Sequence, residues 1–235
     1  MDLIYSINRS RRRRNLAIQV RQGEVRVLAP QRLSTAHIEQ FVQSKQAWIR
    51  GHLQRQQQQQ ARLALRNWCD GETLQWLGQP LRLTLSSGMP SSCQASANEL
   101  QVRLSPRVKN RQAQTQKRVE DWYKAQAQQW LDSFAAHWQQ QAAAWQPQQW
   151  QVASFTAKWG CCTANGRLRL NWRLWLAPEW VVRYVVIHEL CHLRHFNHSR
   201  AFWRLVEQLE PDYRDAERWL KENGGSILDR RFLAY

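Results

Sequence analysis

The sequence lacks the features of a secreted, disulfide-bonded protein and of a membrane-spanning one. Its five cysteines form no C-x-x-C pair, and two of them are adjacent: they are Cys69, Cys93, Cys161, Cys162 and Cys191. An odd count in this arrangement does not predict a disulfide framework. No apolar segment follows the charged N-terminus as a signal peptide requires, and the interrupted apolar run 181–187 is too short to cross a bilayer. We therefore expect a cytoplasmic protein.

Acidic residues are scarce. The chain has 18 Asp and Glu residues against 34 Lys and Arg residues, which gives a formal net charge of +16 at pH 7. This excess favours anionic partners such as nucleic acid, nucleotides, anionic lipid headgroups or acidic protein segments; a soluble protein with a basic surface is the simpler alternative. A dense group near the N-terminus could grip phosphates or keep a strand edge solvated. Its members are Arg9, Arg11, Arg12, Arg13 and Arg14.

Apolar residues are plentiful, at 43% of the chain with 14 tryptophans, enough for a sizeable core. Their alternation predicts two groups of strands, the first around a hairpin at 22–24 and the second forming a small antiparallel sheet with a polar loop over 86–98. A helix is predicted from an N-cap at Ser34 to about residue 66. The predicted strands are 3–7, 16–20, 25–28, 74–77, 81–85 and 100–104.

A long helix is predicted over 111–145, and Pro147 ends it. Two strands, 150–155 and 168–172, follow around a tight-turn signal at Asn165-Gly166. The apolar stripe of the long helix is predicted to face the core. It consists of Val119, Trp122, Tyr123, Trp130, Leu131 and Phe134.

The last third of the chain is predicted to be helical. Pro178 marks a helix start, and this helix extends through His192. Two more helices are predicted over 200–209 and 213–222, and Gly224-Gly225 is expected to end the second.

The segment His188-Glu189-Leu190-Cys191-His192 carries the strongest chemical signal. Residues four apart on a helix lie on one face, so His188 and His192 can share one metal ion. Glu189 is predicted to be a general base rather than a ligand. It takes a proton from metal-bound water, whose pKa zinc lowers to about 7, and the hydroxide attacks a polarised carbonyl or phosphoryl group.

A catalytic zinc needs a third protein ligand and one open position. His198 follows His192 by six residues, which is the spacing of the long metzincin zinc motif, and it is the predicted third ligand. His195 is the rival, because on a continuing helix it lies roughly on the same face. Asn197 is expected to take the left-handed conformation that lets the chain leave the helix. Zinc is the predicted ion, with another divalent metal as the alternative.

Several further segments accompany this motif. They are Lys158-Trp159-Gly160-Cys161-Cys162, Leu170-Asn171-Trp172-Arg173-Leu174, Pro178, Tyr184-Val185-Val186 and Asn197-His198-Ser199 with Phe202-Trp203. Together they resemble the YgjP-like metal-dependent hydrolase domain, which is placed among the M48-type and SprT/WLM-like zincins. The resemblance extends to the basic N-terminal strands and the C-terminal helices. It implies zinc held by His188, His192 and His198, with Glu189 as the general base.

The resemblance also implies a fold. The expected class is α+β, with a zincin-like metallohydrolase core whose active-site helix packs on a small antiparallel sheet, an N-terminal β-rich region and long helices. We expect residues 1–105 to form the N-terminal β-rich region with a helical insertion and residues 106–235 the zincin-like catalytic region, or both to form one continuous domain.

Substrate contacts are predicted on the strand and turn before the motif helix. Gly160 allows a close backbone approach, Trp159 offers a stacking face or packs in the core, and Cys161 stands where the family usually has Ser. In zincins such an edge strand can pair with an extended peptide. Arg169 and Arg173 alternate with Arg167 and are expected to share one face, which would favour an anionic substrate if it opens on the cleft.

Four functions compete at this point. The first is a zinc metallopeptidase, the second a metal-dependent nucleoside triphosphate pyrophosphatase, and the third a nucleic-acid-associated, SprT-like protease. The fourth, a non-catalytic nucleic-acid-binding module with a structural zinc, is disfavoured because a structural site has no use for Glu189. The expected partners are a peptide or nucleotide substrate and nucleic acid at the basic surface, without a membrane.

Overall fold

The computed structural model describes residues 3–21, 23–62, 67–142 and 145–228, with only the backbone given for residues 21 and 55–62. The chain divides into two compact units, Met1–Ala64 and Leu65–Tyr235, called here the smaller and the larger unit. The described residues form six α-helices and three small mixed sheets, which is compatible with the α+β class. Within this part of the chain, no helix combines the length and the apolarity that crossing a membrane needs.

The smaller unit is a three-stranded sheet with two helices. Its elements are β1 (Ser6–Ser10), β2 (Ala17–Arg21), β3 (Glu24–Pro30), α1 (Thr35–Ser44) and α2 (Gln46–Arg62). The central strand β3 pairs in parallel with β1 and antiparallel with β2. Side chains alternate along a strand, and the inward residues of β3 pack with those of the helices. This core comprises Val25, Val27, Ala29, Ile38, Val42 and Ile49.

The predictions for the smaller unit are partly confirmed. Ser34 is the N-cap of α1, since its side chain accepts the backbone N–H of His37. The single predicted helix is instead two helices, because the chain turns at Lys45, whose N–H bonds back to carbonyls of α1. The first strand begins at Ser6 rather than residue 3. The hairpin contains Gly23 at a φ of 80°, while residue 22 and the predicted helix end at 63–66 lie outside the described residues.

The larger unit contains the other two sheets and four helices. Its second-sheet strands are β4 (Thr73–Trp76), β5 (Gln79–Ser87), β6 (Ser92–Ser96) and β7 (Glu99–Leu104). The third sheet contains β8 (Gln149–Ala153), β9 (Gly160–Cys162) and β10 (Arg167–Asn171). The helices are α3 (Arg111–Gln141), α4 (Glu179–Cys191), α5 (Arg200–Leu209) and α6 (Tyr213–Leu228), with a 3-10 helix at Trp172–Leu176. The domain division at 105/106 remains a prediction; here the second sheet and α3 belong to one compact unit.

The expectation of antiparallel sheets is wrong, and one topology explains why. In each sheet a strand is followed by a hairpin whose second strand returns to the centre, giving the orders β1-β3-β2, β5-β7-β6 and β8-β10-β9. The two hairpin strands pair antiparallel, whereas the strand before the hairpin pairs in parallel with the central strand, as β1 does with β3. The register confirms this for β5 with β7 and for β8 with β10. Helix α4, which contains the predicted metal motif, therefore packs on a mixed sheet, not an antiparallel one.

Two local predictions also need correction. The polar loop predicted over 86–98 contains β6, an edge strand paired with β7, and an edge position tolerates the Ser and Gln side chains of β6. Gly224-Gly225 does not end the last helix, because α6 continues to Leu228. A Cβ at position 224 would lie 2.7 Å from Trp159 Cζ2. Gly224 therefore provides close packing inside a helix rather than a stop.

The core of the larger unit lies between α3, the sheets and α4. The stripe on α3 is confirmed: Val119, Tyr123 and Leu131 are buried, and the other three members pack partly buried against the same cluster. Trp172 and Trp175 are fully buried at 0% exposure. A fully buried Val, Leu, Ile, Phe or Met side chain contributes about 1.5–3 kcal/mol, so this core stabilises the elements that carry the site described next.

Candidate metal centre

Helix α4 is the scaffold of the site. Pro178 precedes its first residue, and Glu179 in the first turn complements the positive end of the helix dipole. The Glu179 carboxylate accepts the indole N–H of Trp130 at 3.0 Å, which ties the start of α4 to α3. Nine residues of α4 are buried, so apolar side chains surround it. Such a helix presents its last turn in a fixed position.

His188 and His192 lie one turn apart at the end of α4, with ring centroids 5.1 Å apart. After Cys191 the chain leaves the helix through tight turns, in which the N–H groups of His192, Leu193 and Arg194 bond to carbonyls three residues back. Asn197 is not among the described residues with positive φ, so the expected left-handed exit there is wrong. These tight turns, rather than Asn197, take the chain out of the helix.

His198 comes back to the other two histidines just before α5. Ser199 caps that helix by accepting the N–H of Phe202. Nε2 of His198 lies 3.1 Å from Nε2 of His188. One candidate ligand atom from each of His188, His192 and His198 lies within 4.8 Å of the others. The structure thus brings together the three predicted ligands, and His195 is not part of this group.

The ring nitrogens of His188 and His192 are in the state that a divalent cation requires. Nδ1 of His192 lies 3.0 Å from the carbonyl oxygen of His195; a carbonyl only accepts, so Nδ1 carries the hydrogen and Nε2 keeps its lone pair. Burial, with smaller contributions from His192 and His198, lowers the pKa of His188 to about 3. Burial also lowers the pKa of His192. Neutral imidazoles are the form that coordinates metal, so these residues fit a zinc-type site.

A tyrosine orients His188 from behind. Tyr184 lies one turn earlier on α4, and its hydroxyl oxygen is 3.4 Å from Nδ1 of His188. Burial first, and then the hydrogen-bonded Glu217 carboxylate, raise the pKa of Tyr184. The hydroxyl therefore stays protonated, donates to Glu217 and can accept the Nδ1–H of His188. This arrangement leaves Nε2 of His188 free for a cation.

Phe202 forms an apolar base beneath the imidazoles. Its ring centroid lies 4.9 Å from that of His188, 4.7 Å from that of His192 and 4.8 Å from that of His198. Trp203 stacks on His198 at 5.7 Å. Packing of this kind restricts the ring rotamers and pre-organises the group.

Glu189 is buried at 8% exposure, although it is a carboxylic acid. Its pocket exists because position 160 is glycine: a Cβ there would lie 2.8 Å from Cγ and 2.9 Å from Oε1 of Glu189. Burial raises the pKa of Glu189 to about 7, while the backbone N–H of Cys162 and the charge of Lys158 act in the opposite direction. A carboxyl with a pKa near neutrality can both accept and release a proton at physiological pH.

The predicted substrate contacts have separate positions. Gly160 lies against Glu189, and Trp159 packs against α6 at Gly224. Cys161 pairs with Arg169 in the β9–β10 register; successive strand residues alternate, so both point to the face away from α4.

Arg173 is not on the strand. Asn171 ends β10 and caps the 3-10 helix by accepting the N–H of Arg173, whose guanidinium lies 4.5 Å from the Trp172 ring. The expected shared face is therefore wrong for Arg173. The roles of all these residues toward a substrate remain predictions.

The sequence did not predict four groups that surround the candidate metal ligands and Glu189. Lys158, Tyr184 and Phe202 lay within the recognised segments without an assigned role, and the N–H of Cys162 acts from the backbone, where sequence carries no signal. A pattern search for the surroundings of the motif could have found Tyr184 and Phe202, because they lie one helical turn from His188 and His198.

Comparisons with known proteins give independent information about the family of the chain. The family model described as "YgjP-like, metallopeptidase domain" matches residues 14–223. A stretch of 41 residues is 44% identical to the UTP pyrophosphatase of Escherichia coli (strain K12) and covers 17% of this chain and 25% of that protein. The chain thus matches about a quarter of the length of this curated relative. No solved structure matches the chain.

Proposed function

The chain belongs to the YgjP-like metallopeptidase domain family, and on that premise we propose that it is a zinc-dependent hydrolase, metallopeptidase-like in its chemistry, with Glu189 as the general base. Membership supports the coarser statement that the chain is a metal-dependent hydrolase. One observation carries the finer proposal: the imidazoles of His188, His192 and His198 converge beside the end of α4, next to a buried carboxyl whose pKa burial raises to about 7.

His188, His192 and His198 would hold the ion through one ring nitrogen each. A zinc ion supplies Lewis-acid chemistry at such a site, polarising a carbonyl or phosphoryl oxygen and lowering the pKa of water to about 7. The carboxylate of Glu189 accepts a proton from the attacking water and later returns it to the leaving group. The burial of Glu189 keeps the pKa of this carboxyl in the range where both transfers are effective.

Strand β9 supports a peptide substrate. It is the outer strand of the order β8-β10-β9, and its residue Gly160 lies against Glu189. An edge strand can pair with an extended peptide and bring a scissile carbonyl next to the site. We take α4 and this sheet as a zincin-like core on that basis.

A nucleoside triphosphate is the second candidate substrate. The partial similarity to a UTP pyrophosphatase favours it weakly. Two cationic side chains beside β9, Lys158 and Arg169, add support from the structure. A third candidate is a nucleic-acid-associated, SprT-like protease that uses the basic smaller unit. This unit contains 12 Lys and Arg residues but 3 Asp and Glu residues. Location in the cytoplasm remains a prediction.

The testing experiment compares Glu189→Gln with the parent and with Glu179→Gln, the same change at the start of the same helix. Purified proteins are assayed, with and without chelator, on casein, on DNA-bound protein and on nucleoside triphosphates. We expect Glu189→Gln to retain the metal and to lose about 10²–10⁴-fold in rate, while Glu179→Gln remains active.

Full activity of Glu189→Gln would contradict the mechanism. Chelator-sensitive release of pyrophosphate without peptide cleavage would contradict the peptidase hypothesis and support a nucleoside triphosphate as the substrate.

A further inference from the structure

Trp159 is held between the last described helix, α6, and the strand that borders Glu189. A Cβ on Gly224 of α6 would lie 2.7 Å from Cζ2, 3.5 Å from Cε2 and 3.6 Å from Nε1 of Trp159. Ordinary contacts between carbon atoms measure about 3.5–4.0 Å, so the outer edge of the indole rests directly on the helix backbone. Only the hydrogen of a glycine fits between them.

Glycine at position 224 is explained by this contact and not by its place in the helix. In a helix interior glycine is less favourable than alanine, because it loses more conformational entropy on folding. Gly224 is nevertheless buried within α6, whereas its neighbour Gly225 is exposed. The close approach of Trp159 therefore gives a reason for Gly224 that does not extend to Gly225.

The backbone around Trp159 is anchored as well as its ring. The carbonyl oxygen of Trp159 accepts the N–H of Asn171 at 2.7 Å. Asn171 is fully buried at 0% exposure, and its side-chain amide donates to the carbonyls of Phe155 and Lys158, both at 3.0 Å. With the loop held at these carbonyls, a push on the indole is passed on to the next residue, Gly160.

Strand β9 in turn confines the side chain of Glu189. A Cβ at Gly160 would lie 2.8 Å from Cγ and 2.9 Å from Oε1 of Glu189, and the backbone N–H of Cys162 donates to the same carboxylate. The strand thus contacts the proposed base at both of its ends. Closely packed interiors transmit displacements rather than absorb them, so the position of β9 decides the position of the carboxyl.

The strand is expected to yield to a push more readily than the helix. Strand β9 contains 3 residues, whereas α6 contains 16. The helix is also anchored by the buried side chains of Tyr213, Ala216 and Ile227. A group added at position 224 should therefore displace Trp159 and β9 and leave the helix in place.

We propose that Gly224 and Trp159 are positioning residues of the hydrolase: α6 places the indole, the indole places β9, and β9 places the carboxyl of Glu189. The inference rests on the proposed function for the role of Glu189. In this assignment Trp159 acts through the strand and has no need to touch the substrate.

The main test compares Gly224→Ala with Gly225→Ala, the same change at the next residue of the same helix. The Cβ added at position 224 reaches ordinary contact with Trp159 only after a displacement of about 1 Å. A misplacement of that size can cost about 100-fold in rate, so we expect kcat to fall at least about tenfold. The substrate is the casein or nucleoside triphosphate that the parent hydrolyses. KM and zinc affinity should stay close to those of the parent, and Gly225→Ala should keep the parent's kcat.

A second substitution tests the contact itself. Trp159→Phe removes Cζ2, Cε2 and Nε1, the atoms that a Cβ at position 224 would meet. The double variant of Gly224→Ala with Trp159→Phe should therefore be as fast as Trp159→Phe alone, whereas two independent sites would lose the product of both effects. A general structural defect at position 224 would not be rescued in this way.

Hydrogen–deuterium exchange gives a readout that needs neither metal nor turnover. In the chelator-treated whole chain, Gly224→Ala should lose protection at the amides of Gly160–Cys162. The added Trp159→Phe should return this protection to the level of Trp159→Phe alone. If circular dichroism shows that Gly224→Ala does not fold, Trp159→Phe keeps the test decisive, because loss of the ring that rests on α6 must itself reduce protection at these amides.

Parental kcat and parental protection in Gly224→Ala, or equal losses in Gly225→Ala, would overturn the proposal. Full protection at Gly160–Cys162 in Trp159→Phe would overturn it as well. If protection depends on Gly224 and Trp159 but the metal-loaded parent hydrolyses no substrate, the hydrolase function fails and the dependence of β9 on α6 stands.

Discussion

The two compact units differ in charge and in chemistry: the smaller unit has the greater excess of basic residues, and the larger unit contains the candidate metal centre. The smaller unit has 12 Lys and Arg residues against 3 Asp and Glu residues, whereas the larger has 22 against 15 over a much longer segment. All three imidazoles of the candidate metal centre and its buried carboxyl belong to the larger unit. The net charge of +16 is thus an average that describes neither unit, and it says little about the site.

The division also shows in what each unit buries. The buried residues of the smaller unit's core are all aliphatic: Val25, Val27, Ala29, Ile38, Val42 and Ile49. The larger unit buries tryptophans, a capping asparagine and a carboxylic acid. Burial of an ionisable group is costly unless it serves a purpose, so the location of Glu189 marks the larger unit as the one that carries chemistry.

The largest expected effect tests whether His198, and not His195, is the third metal ligand in the larger unit. His198→Ala should weaken zinc binding by more than the roughly 10–100-fold that loss of a ligand-orienting group costs, because it removes a ligand itself. His195→Ala should bind zinc like the parent, since only its backbone carbonyl takes part, at 3.0 Å from Nδ1 of His192. Competition with a chromogenic chelator measures both. The reverse result would make His195 the third ligand.

The next effect compares one substitution in both units. Gly160→Ala places a Cβ 2.8 Å from Cγ of Glu189, so the carboxyl must move, and a displacement of about 1 Å can cost about 100-fold in rate. Gly51→Ala in α2 meets nothing within 4 Å and should stabilise that helix by about 0.5–1 kcal/mol. Turnover and thermal unfolding of both variants are the measurements. Full activity of Gly160→Ala with retained metal would show that the pocket is not needed to position the base.

These two predictions illustrate what sequence can and cannot reveal. The spacing of His188 and His192 is read along one helix, and Ser34 accepts the N–H of His37 three residues later, so both follow from local geometry. The contact of Gly160 with Glu189 joins residues from different elements, and only the fold decides it. The same holds for the charged groups of Lys158 and Arg169, which lie 4.5 Å and 5.3 Å from the ring centroid of Phe155.

The parallel pairing of β1 with β3, of β5 with β7 and of β8 with β10 is the main feature of the fold that the sequence did not predict. Alternating apolar residues locate β5, β7, β8 and β10 but carry no information on whether partners run parallel. Arg173 shows a smaller failure: the alternation of Arg167, Arg169 and Arg173 continues past Asn171, where a side-chain cap ends the strand. Hydrogen-bond competition by one asparagine overrides a three-residue pattern.

An intermediate effect is expected at Tyr184. Tyr184→Phe removes the hydroxyl 3.4 Å from Nδ1 of His188, and outer partners of this kind typically contribute about 10-fold or more to metal affinity. Tyr5→Phe is the matched change in the smaller unit and should leave zinc affinity unaltered. Chelator competition at constant pH measures both. Equal zinc affinity for Tyr184→Phe and the parent would mean that packing alone orients the ring of His188.

The smallest expected effect concerns the charge of the smaller unit. Arg12 is exposed within the N-terminal arginine group; if it contacts a phosphate, Arg12→Gln should weaken binding of duplex DNA about threefold and reduce the slope of log K against log salt by about 0.9, the value for one released counterion. Arg167→Gln, an exposed arginine of the larger unit, should change neither quantity. Fluorescence anisotropy across a salt series measures both slopes. A slope change in Arg167→Gln but not in Arg12→Gln would place the nucleic-acid contact on the larger unit, and the separation of charge from chemistry would then no longer hold.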